Sequence, residues 1–304
     1  MLCSKEDTMN NRSDRRFRAF AYIVLSIAAI TCLYPFFLLI MSSFTDEQSL
    51  IINGYSIFPK QFSLNAYKYI FAQYKVLLRA YGITTFTTVV GTSSGLFMTI
   101  LLAYALSQPN LPGRKILTFL VVFSMLFNGG LVSTYLWYCG SLHIKNTIFA
   151  LIVPGLMTNG FMIMIAFNYF RNNVPYEVIE AARVDGAGEF RIFFKIVVPF
   201  SKPIIAAIGL MTGIAYWNDW RNGLYYLTDQ KLYNIQNILN RMMQEIAFLS
   251  SGELGAYAAD YGDVIPGNGV RMAIAVIAVI PILIIYPIFQ KQFAKGLTFG
   301  SVKG

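Results

Sequence analysis

The sequence predicts an all-α integral membrane protein with six transmembrane helices. Three observations carry that prediction: a low share of charged residues, apolar stretches of membrane-crossing length, and a one-sided distribution of positive charge. Of the 304 residues, 56% are hydrophobic and only 13% are charged. Soluble domains carry about a quarter charged residues, so the excess apolar surface must face lipid. Six stretches approach or exceed the roughly 20 apolar residues needed to cross a hydrocarbon core. They are Ala19–Met41, Ile83–Leu106, Ile116–Tyr138, Thr147–Phe170, Pro203–Leu227 and Met272–Phe289. Lipid offers no partner to an open backbone group, so these stretches are expected to be helical. Barrel strands would alternate in short segments, and these do not.

The formal charge of +9 is compatible with nucleic acid, but its distribution speaks for orientation. Lys5, Arg12, Arg15, Arg16 and Arg18 precede the first span, and Arg114 and Lys115 lie between the second and third. Arg171, Arg183, Arg191, Lys195 and Lys202 lie between the fourth and fifth, and Lys291, Lys295 and Lys303 follow the sixth. With six spans these fifteen fall on one side, against seven on the other (Lys60, Lys68, Lys75, Arg79, Lys145, Lys231, Arg241). The positive-inside rule puts both termini in the cytoplasm. No nucleic-acid partner is expected.

Taken in order, residues 1–18 form a cytoplasmic N-terminal segment and residues 19–292 the membrane domain. The first span is too long for a signal-peptide core and no small-residue cleavage site follows it, so it is expected to be retained. In the external segment Ser42–Gly82, Pro59 and the run Phe62–Tyr67 predict a turn into a short helix. Leu111-Pro112-Gly113-Arg114-Lys115 is a brief cytoplasmic turn, where Pro-Gly breaks the helix. Asn128, Asn159 and Asn168 are polar groups inside spans three and four, and His143 is the sole histidine, too little for a zinc site. Cys3, Cys32 and Cys139 lack metal or redox spacing and read as small apolar filler.

Between spans four and five, about residues 171–202, lies a polar island. Pro175 suits a helix start, and Tyr176–Asp185 holds strong helix formers at Glu180, Ala181 and Ala182. Gly186 is placed to end that helix in a left-handed conformation. A second short helix is expected from about Glu189 to Val197, with Pro199 breaking it. The paired alanines allow close approach of a partner. Arg183, Arg191 and Lys195 form cationic rims, and Phe190, Phe193 and Phe194 offer apolar surface of the kind that marks interaction sites. Packing of the island on its own bundle is the other reading.

Span five carries Trp217, Asn218, Asp219, Trp220 and Arg221 in its outward half. Charges within a membrane face protein or water. These residues read either as the wall of a substrate-facing cavity or as interhelix packing, with Asp219 paired to Arg221 or capped near the interface. The loop at about 228–270 repeats Ile235, Ile238, Leu239, Met242, Met243 and Ile246 with helical spacing, predicting an amphipathic surface helix. A glycine-rich segment from Ser251 to Gly269 follows, with Tyr257, Asp260 and Tyr261. It reads as a lid over the external face or as a docking surface for an external partner. Residues 293–304 form a cytoplasmic tail.

Glu180-Ala181-Ala182, three residues, Gly186, nine residues, then Ile196-x-x-Pro199 resembles the ATPase-coupling motif of ABC importer permeases; Val198 stands where that family usually has Leu. Leu111-Pro112-Gly113-Arg114, Trp217-Asn218-Asp219-Trp220 and the tail Lys295–Gly304 resemble the carbohydrate-uptake branch, in the class of the maltose-system G-type subunit. Phe127-Asn128-Gly129-Gly130 and Leu224-Tyr225-Tyr226-Leu227 are similar to permeases for complex oligosaccharides, including uronate-bearing ones. The resemblance implies a type I ABC importer permease fold in the bacterial cytoplasmic membrane, multi-pass and surrounded by lipid. It implies ATPase coupling through Glu180, Ala181, Ala182, Asp185, Gly186, Ile196 and Pro199. It places Asn128, Asn159, Trp217, Asn218, Asp219 and Trp220 along a substrate pathway and Tyr257, Asp260 and Tyr261 against a binding protein. The implied partners are a second homologous permease subunit, two ATPase subunits, an extracytoplasmic solute-binding protein and an oligosaccharide. No catalytic residue, metal site or cofactor is expected on this chain. The chain has no Gly-x-x-x-x-Gly-Lys-Ser/Thr loop, so ATP and Mg are expected on the partner ATPases. The alternative, an ion-gradient-driven secondary sugar transporter, would call for intramembrane carboxylates at broken helices, and Asp219 is the only clear one.

Overall fold

The computed structural model describes residues 12–72, 74–250, 267–281 and 283–284. Among them the secondary structure is helical, apart from one isolated antiparallel bridge, Thr45 to Phe62. The helices are α1 (Arg12–Ser43), α2 (Glu47–Asn53), α3 (Asn65–Ala72), α4 (Tyr74–Ser107), α5 (Arg114–Leu126), α6 (Gly130–Leu136), α7 (Phe149–Ile152), α8 (Gly160–Asn173), α9 (Tyr176–Val184), α10 (Glu189–Ile192), α11 (Val198–Phe200), α12 (Lys202–Trp217), α13 (Arg221–Tyr226), α14 (Ile235–Ser250) and α15 (Asn268–Pro281). The chain divides into two compact units, Met1–Ala72 with Ile246–Ile277, and Gln73–Glu245 with Ala278–Gly304.

In the first unit, α1 is an apolar helix whose membrane-length portion is unburied until its last two residues, Ser42 and Ser43, which are buried. The turn predicted around Pro59 is present. Ser63 N–H donates to the Phe44 carbonyl, Asp46 N–H donates to that of Gln61, and the Phe44 and Tyr67 rings stack 4.9 Å apart. The Glu47 carboxylate accepts from the backbone N–H groups of Asn268 (2.7 Å) and Gly269 (2.8 Å), capping the open first turn of α15.

The second unit is built around α4, which packs against α8 and α12. The approach to α12 is close enough that a Cβ at Gly91 would lie 2.4 Å from the Tyr216 ring. Small residues at such crossings let dispersion contacts replace the hydrophobic drive that lipid does not supply. The buried core runs from Ile100, Ala103 and Leu106 of α4 through Ile163, Ala166 and Phe170 of α8 to Ile192, Phe193 and Val197.

The structure corrects the expectation of unbroken helices in spans three, four and five. α5 and α6 meet at 117° across Phe127-Asn128-Gly129. Span four is interrupted between α7 and α8. Span five stops at Trp217 and restarts at Arg221. Such breaks persist at membrane depth only where protein groups replace the lost helix bonds, and here they do. Tyr216 Oη donates to the Ile152 carbonyl (2.7 Å) and Asn222 Nδ2 to that of Pro154 (2.9 Å), satisfying the break in span four. Asn237 Nδ2 donates to the Trp220 carbonyl (3.1 Å), and Asn234 Nδ2 to that of Asp219, satisfying the break in span five. The amphipathic helix expected in the external loop is α14, with Ile235, Ile238, Leu239 and Met242 buried.

Candidate functional site

The island forms two short helices about a glycine. Pro175 stands at the N-cap of α9, whose sequence Tyr176–Val184 matches the predicted helix, with Asp185 as its C-cap. Gly186 adopts φ +78°, and Ala187 N–H returns to the Ala182 carbonyl (2.9 Å) while Gly186 N–H reaches that of Arg183 (3.0 Å). These are the two bonds of a glycine-terminated helix end.

The second helix departs from expectation. α10 passes into a π turn, Phe193–Val197, and then into α11, which contains Pro199. Pro199 therefore does not end the helix. Pro199 stands in the first turn of α11, where its missing N–H is tolerated, and the break falls two residues later, at Ser201. There the chain turns by 84° into α12.

The side chains sort into an inner and an outer set. Ile179, Ile192, Phe193 and Val197 are buried, with the Phe193 ring 5.3 Å from that of Tyr104. Phe193 is thus part of the core rather than of an exposed apolar surface. Facing outward are Glu180, Ala181, Asp185, Gly186 and Pro199, with Ala182 and Ile196 half-buried. Beside them Val184 is 87% exposed, Phe190 74% and Phe194 52%. That is a ridge of small, acidic and apolar groups on a packed base.

Arg183 is not a free cationic rim. Its Nε donates to Glu189 Oε1 (2.7 Å), Nη2 to Gln108 Oε1 (2.7 Å) and Nη1 to Tyr176 Oη (3.4 Å), while Tyr104 Oη donates to Glu189 Oε2 (2.8 Å). The Arg183 hydrogen bond holds the Glu189 carboxyl below the usual carboxylate range, against the opposing effect of desolvation, and the same bond raises the Arg183 guanidinium. Both groups stay charged. A cavity of about 490 Å³ borders this cluster, between Tyr104, Gln108, Asn110, Pro112, Arg183 and Glu189. The sequence did give one signal for the pair: opposite charges three residues either side of Gly186.

The polar residues of the spans sit at the helix breaks. Asn159 caps α8, its Oδ1 accepting from Phe161 N–H (2.9 Å) and Met162 N–H (3.3 Å). Asn128 Oδ1 accepts from Gly130 N–H (2.9 Å), and Asp219 Oδ1 from Asn222 N–H (3.2 Å). Of the two alternatives for Asp219, the structure shows the cap, at the start of α13; among the described residues the one ion pair is Arg183–Glu189, so pairing with Arg221 does not form. Trp217 is buried near Tyr81, whereas Asn218 and Trp220 are exposed. Asp219 Oδ2 is buried without a hydrogen-bond partner. Tyr257, Asp260 and Tyr261 lie outside the described residues, as does the tail Lys295–Gly304. Tyr216, Asn222, Asn234 and Asn237, which hold the breaks together, were not singled out from the sequence. Their signal is a run of amides beside an otherwise apolar span.

Over residues 8–299 the chain matches the family model of the binding-protein-dependent transport system inner membrane component. The chain belongs to that family. It is 40% identical over 298 residues to Protein LplC of Bacillus subtilis (strain 168), covering 97% of each chain. It is 40% identical over 295 residues to the polygalacturonan/rhamnogalacturonan transport system permease protein YtcP of the same organism, covering 96% of this chain and 99% of the relative. A crystal structure of a bacterial ABC transporter involved in the import of the acidic polysaccharide alginate superposes with a TM-score of 0.77 at 30% identity, covering 94% of this chain and 99% of the matched chain. The chain is thus a membrane-embedded permease of an ABC importer with the type I permease fold, in the inner membrane. Permeases of this family are non-enzymatic subunits. The ion-gradient alternative is left without support.

Proposed function

We propose that this chain is one half of the translocation pathway of an ATP-driven importer for oligosaccharides, and that uronate-bearing chains are the cargo. The observation that carries the mechanism is the ridge on α9–α10. A left-handed glycine and a buried base hold Glu180, Ala181, Asp185 and Gly186 outward, beside the exposed Val184 and Phe190. Ala182, Ile196 and Pro199 complete the handle. ATPase subunits, carrying ATP and Mg, grip it, and their closure rocks the spans between inward-open and outward-open arrangements. Bistable rigid-body switching of this kind needs a projecting element packed on a stiff base.

Six spans are proposed across residues 19–292, with both termini and the 171–202 hairpin cytoplasmic; the charge distribution supports that orientation. The other half of the pathway is a second, homologous permease. An extracytoplasmic binding protein docks on the 228–270 loop, with Tyr257, Asp260 and Tyr261 as contacts. Asn128, Asn159 and the Trp217–Trp220 turn line the pathway, where Trp220 and Asn218 are the exposed groups. The acidic cargo is supported by the names of YtcP and of the alginate transporter.

The test is uptake of labelled oligogalacturonate by cells carrying the complete transporter. Gly186→Arg adds bulk and charge at the turn. Uptake is expected to be lost while the variant still inserts in the membrane. Wild-type uptake by that variant would overturn the coupling role. Uptake of a neutral glucan but not the uronate by the unmodified transporter would overturn the cargo.

A further inference from the structure

We propose that Arg183, Glu189, Tyr104 and Gln108 form a clamp that makes the coupling hairpin and the adjoining end of α4 one rigid body, so that a push on the hairpin moves α4 directly. The inference rests on the reading of the hairpin as the ATPase handle, and adds how the handle is joined to the shaft. Each helix of the hairpin contributes one charge: Arg183 from the last turn of α9, Glu189 from the first of α10. Their ion pair (2.7 Å) closes the hairpin across the Gly186 turn. Each partner then takes a second bond to the same end of α4. Glu189 Oε2 accepts from Tyr104 Oη (2.8 Å) in the last turn of α4, and Arg183 Nη2 donates to Gln108 Oε1 (2.7 Å) on the residue that directly follows α4. Two charge-assisted bonds from two helices to the last turn of a third and the residue after it fix orientation as well as distance.

Beneath this polar layer the Tyr104 and Phe193 rings pack together, so the joint has an apolar floor and a polar rim. The rim is wetted, with side-chain exposures of 30% for Arg183 and 55% for Glu189, and the neighbouring cavity opens on it. An exposed pair contributes little to folding stability. Its value is geometric: without it the hairpin can pivot on the Phe193 floor while staying folded. Arg183, Glu189, Tyr104 and Gln108 are positioning residues that act through the hairpin.

The test uses the whole transporter in proteoliposomes, with Cys3, Cys32 and Cys139 replaced by Ser and spin labels at Phe97→Cys on α4 and Glu177→Cys on α9, both exposed and neither among the ridge residues. The label distance is read without nucleotide and with vanadate-trapped ATP. In the otherwise unmodified chain the distance is expected not to change between the two states. In Arg183→Ala, Glu189→Ala and Arg183→Glu it is expected to broaden and shift on trapping, with the ATPase subunits still copurifying. The swap Arg183→Glu with Glu189→Arg is expected to restore the single unshifted distance, because Tyr104 hydroxyl and Gln108 amide can each exchange donor for acceptor. A distance that shifts in the unmodified chain, or stays fixed in the single variants, or a swap no better than Arg183→Glu, overturns the clamp. Loss of the ATPase subunits from the single variants also overturns it, by assigning the pair to attachment. Failure of the handle reading is separate: it shows as ATPase copurification and uptake that survive Gly186→Arg.

Discussion

Gly186 carries the most demanding backbone conformation in the hairpin. At φ +78° nothing lies within 4 Å of a Cβ built there, so space does not require glycine. The dihedral does. An ordinary L-residue in the left-handed region loses about 1–2 kcal/mol, asparagine less, and a β-branched residue more. Gly186→Asn is therefore expected to keep most uptake, and Gly186→Val to lose most of it at equal membrane abundance, measured as initial uptake rate normalised to immunoblot. Equal loss in both would point to bulk at the ATPase contact in place of backbone strain. The residue scale also shows what a sequence can reveal. Gly186, Pro175 and the helix between them were legible because local backbone chemistry decides them. Arg183 was not, because its partner Gln108, and the Tyr104 that bonds its counter-ion Glu189, are brought to it only by the packing of α4.

At the scale of elements, the spans were legible as apolar lengths, and α14 as an amphipathic period. The breaks were not. A broken span and a straight one have the same hydropathy; the difference lies in whether a distant side chain can serve the freed carbonyls. Asn128, Asn159 and Asp219 stood out as polar groups in apolar runs, and the structure shows each accepting a backbone N–H beside a break. Their cap bonds account for their presence without a substrate. The cost of undoing such an arrangement is measurable. Tyr216→Phe keeps the ring that fits against Gly91 but strands the buried Ile152 carbonyl, at a cost of about 1–3 kcal/mol. The purified transporter in detergent is expected to melt at a lower temperature with Tyr216→Phe, and to be unchanged with Tyr22→Phe on the exposed face of α1. Equal melting in both would mean that water or lipid serves the Ile152 carbonyl.

At the scale of the whole molecule, orientation follows from charge and leads to a prediction that neither helix packing nor family membership fixes. Fifteen cations on one set of loops against seven on the other would put the α9–α10 ridge in the cytoplasm and the segment before α14 outside. Val184 on the ridge and Lys231 ahead of α14 are both exposed and both lie in the Gln73–Glu245 unit. With Cys3, Cys32 and Cys139 replaced by Ser, a cysteine at Val184 is expected to react with a membrane-impermeant maleimide only in inside-out vesicles, and one at Lys231 only in intact cells. Between these positions the chain passes once through the α12–α13 region, so opposite accessibility requires that the break at Asn218–Trp220 lie within a full crossing. If both sites react from the same side, α12 and α13 instead form a re-entrant loop. The handle and the external loop would then share one face, and an ATPase and a binding protein could not engage them at once. Labelling from opposite sides would establish the geometry that a push from ATP inside and a delivery of sugar outside both need.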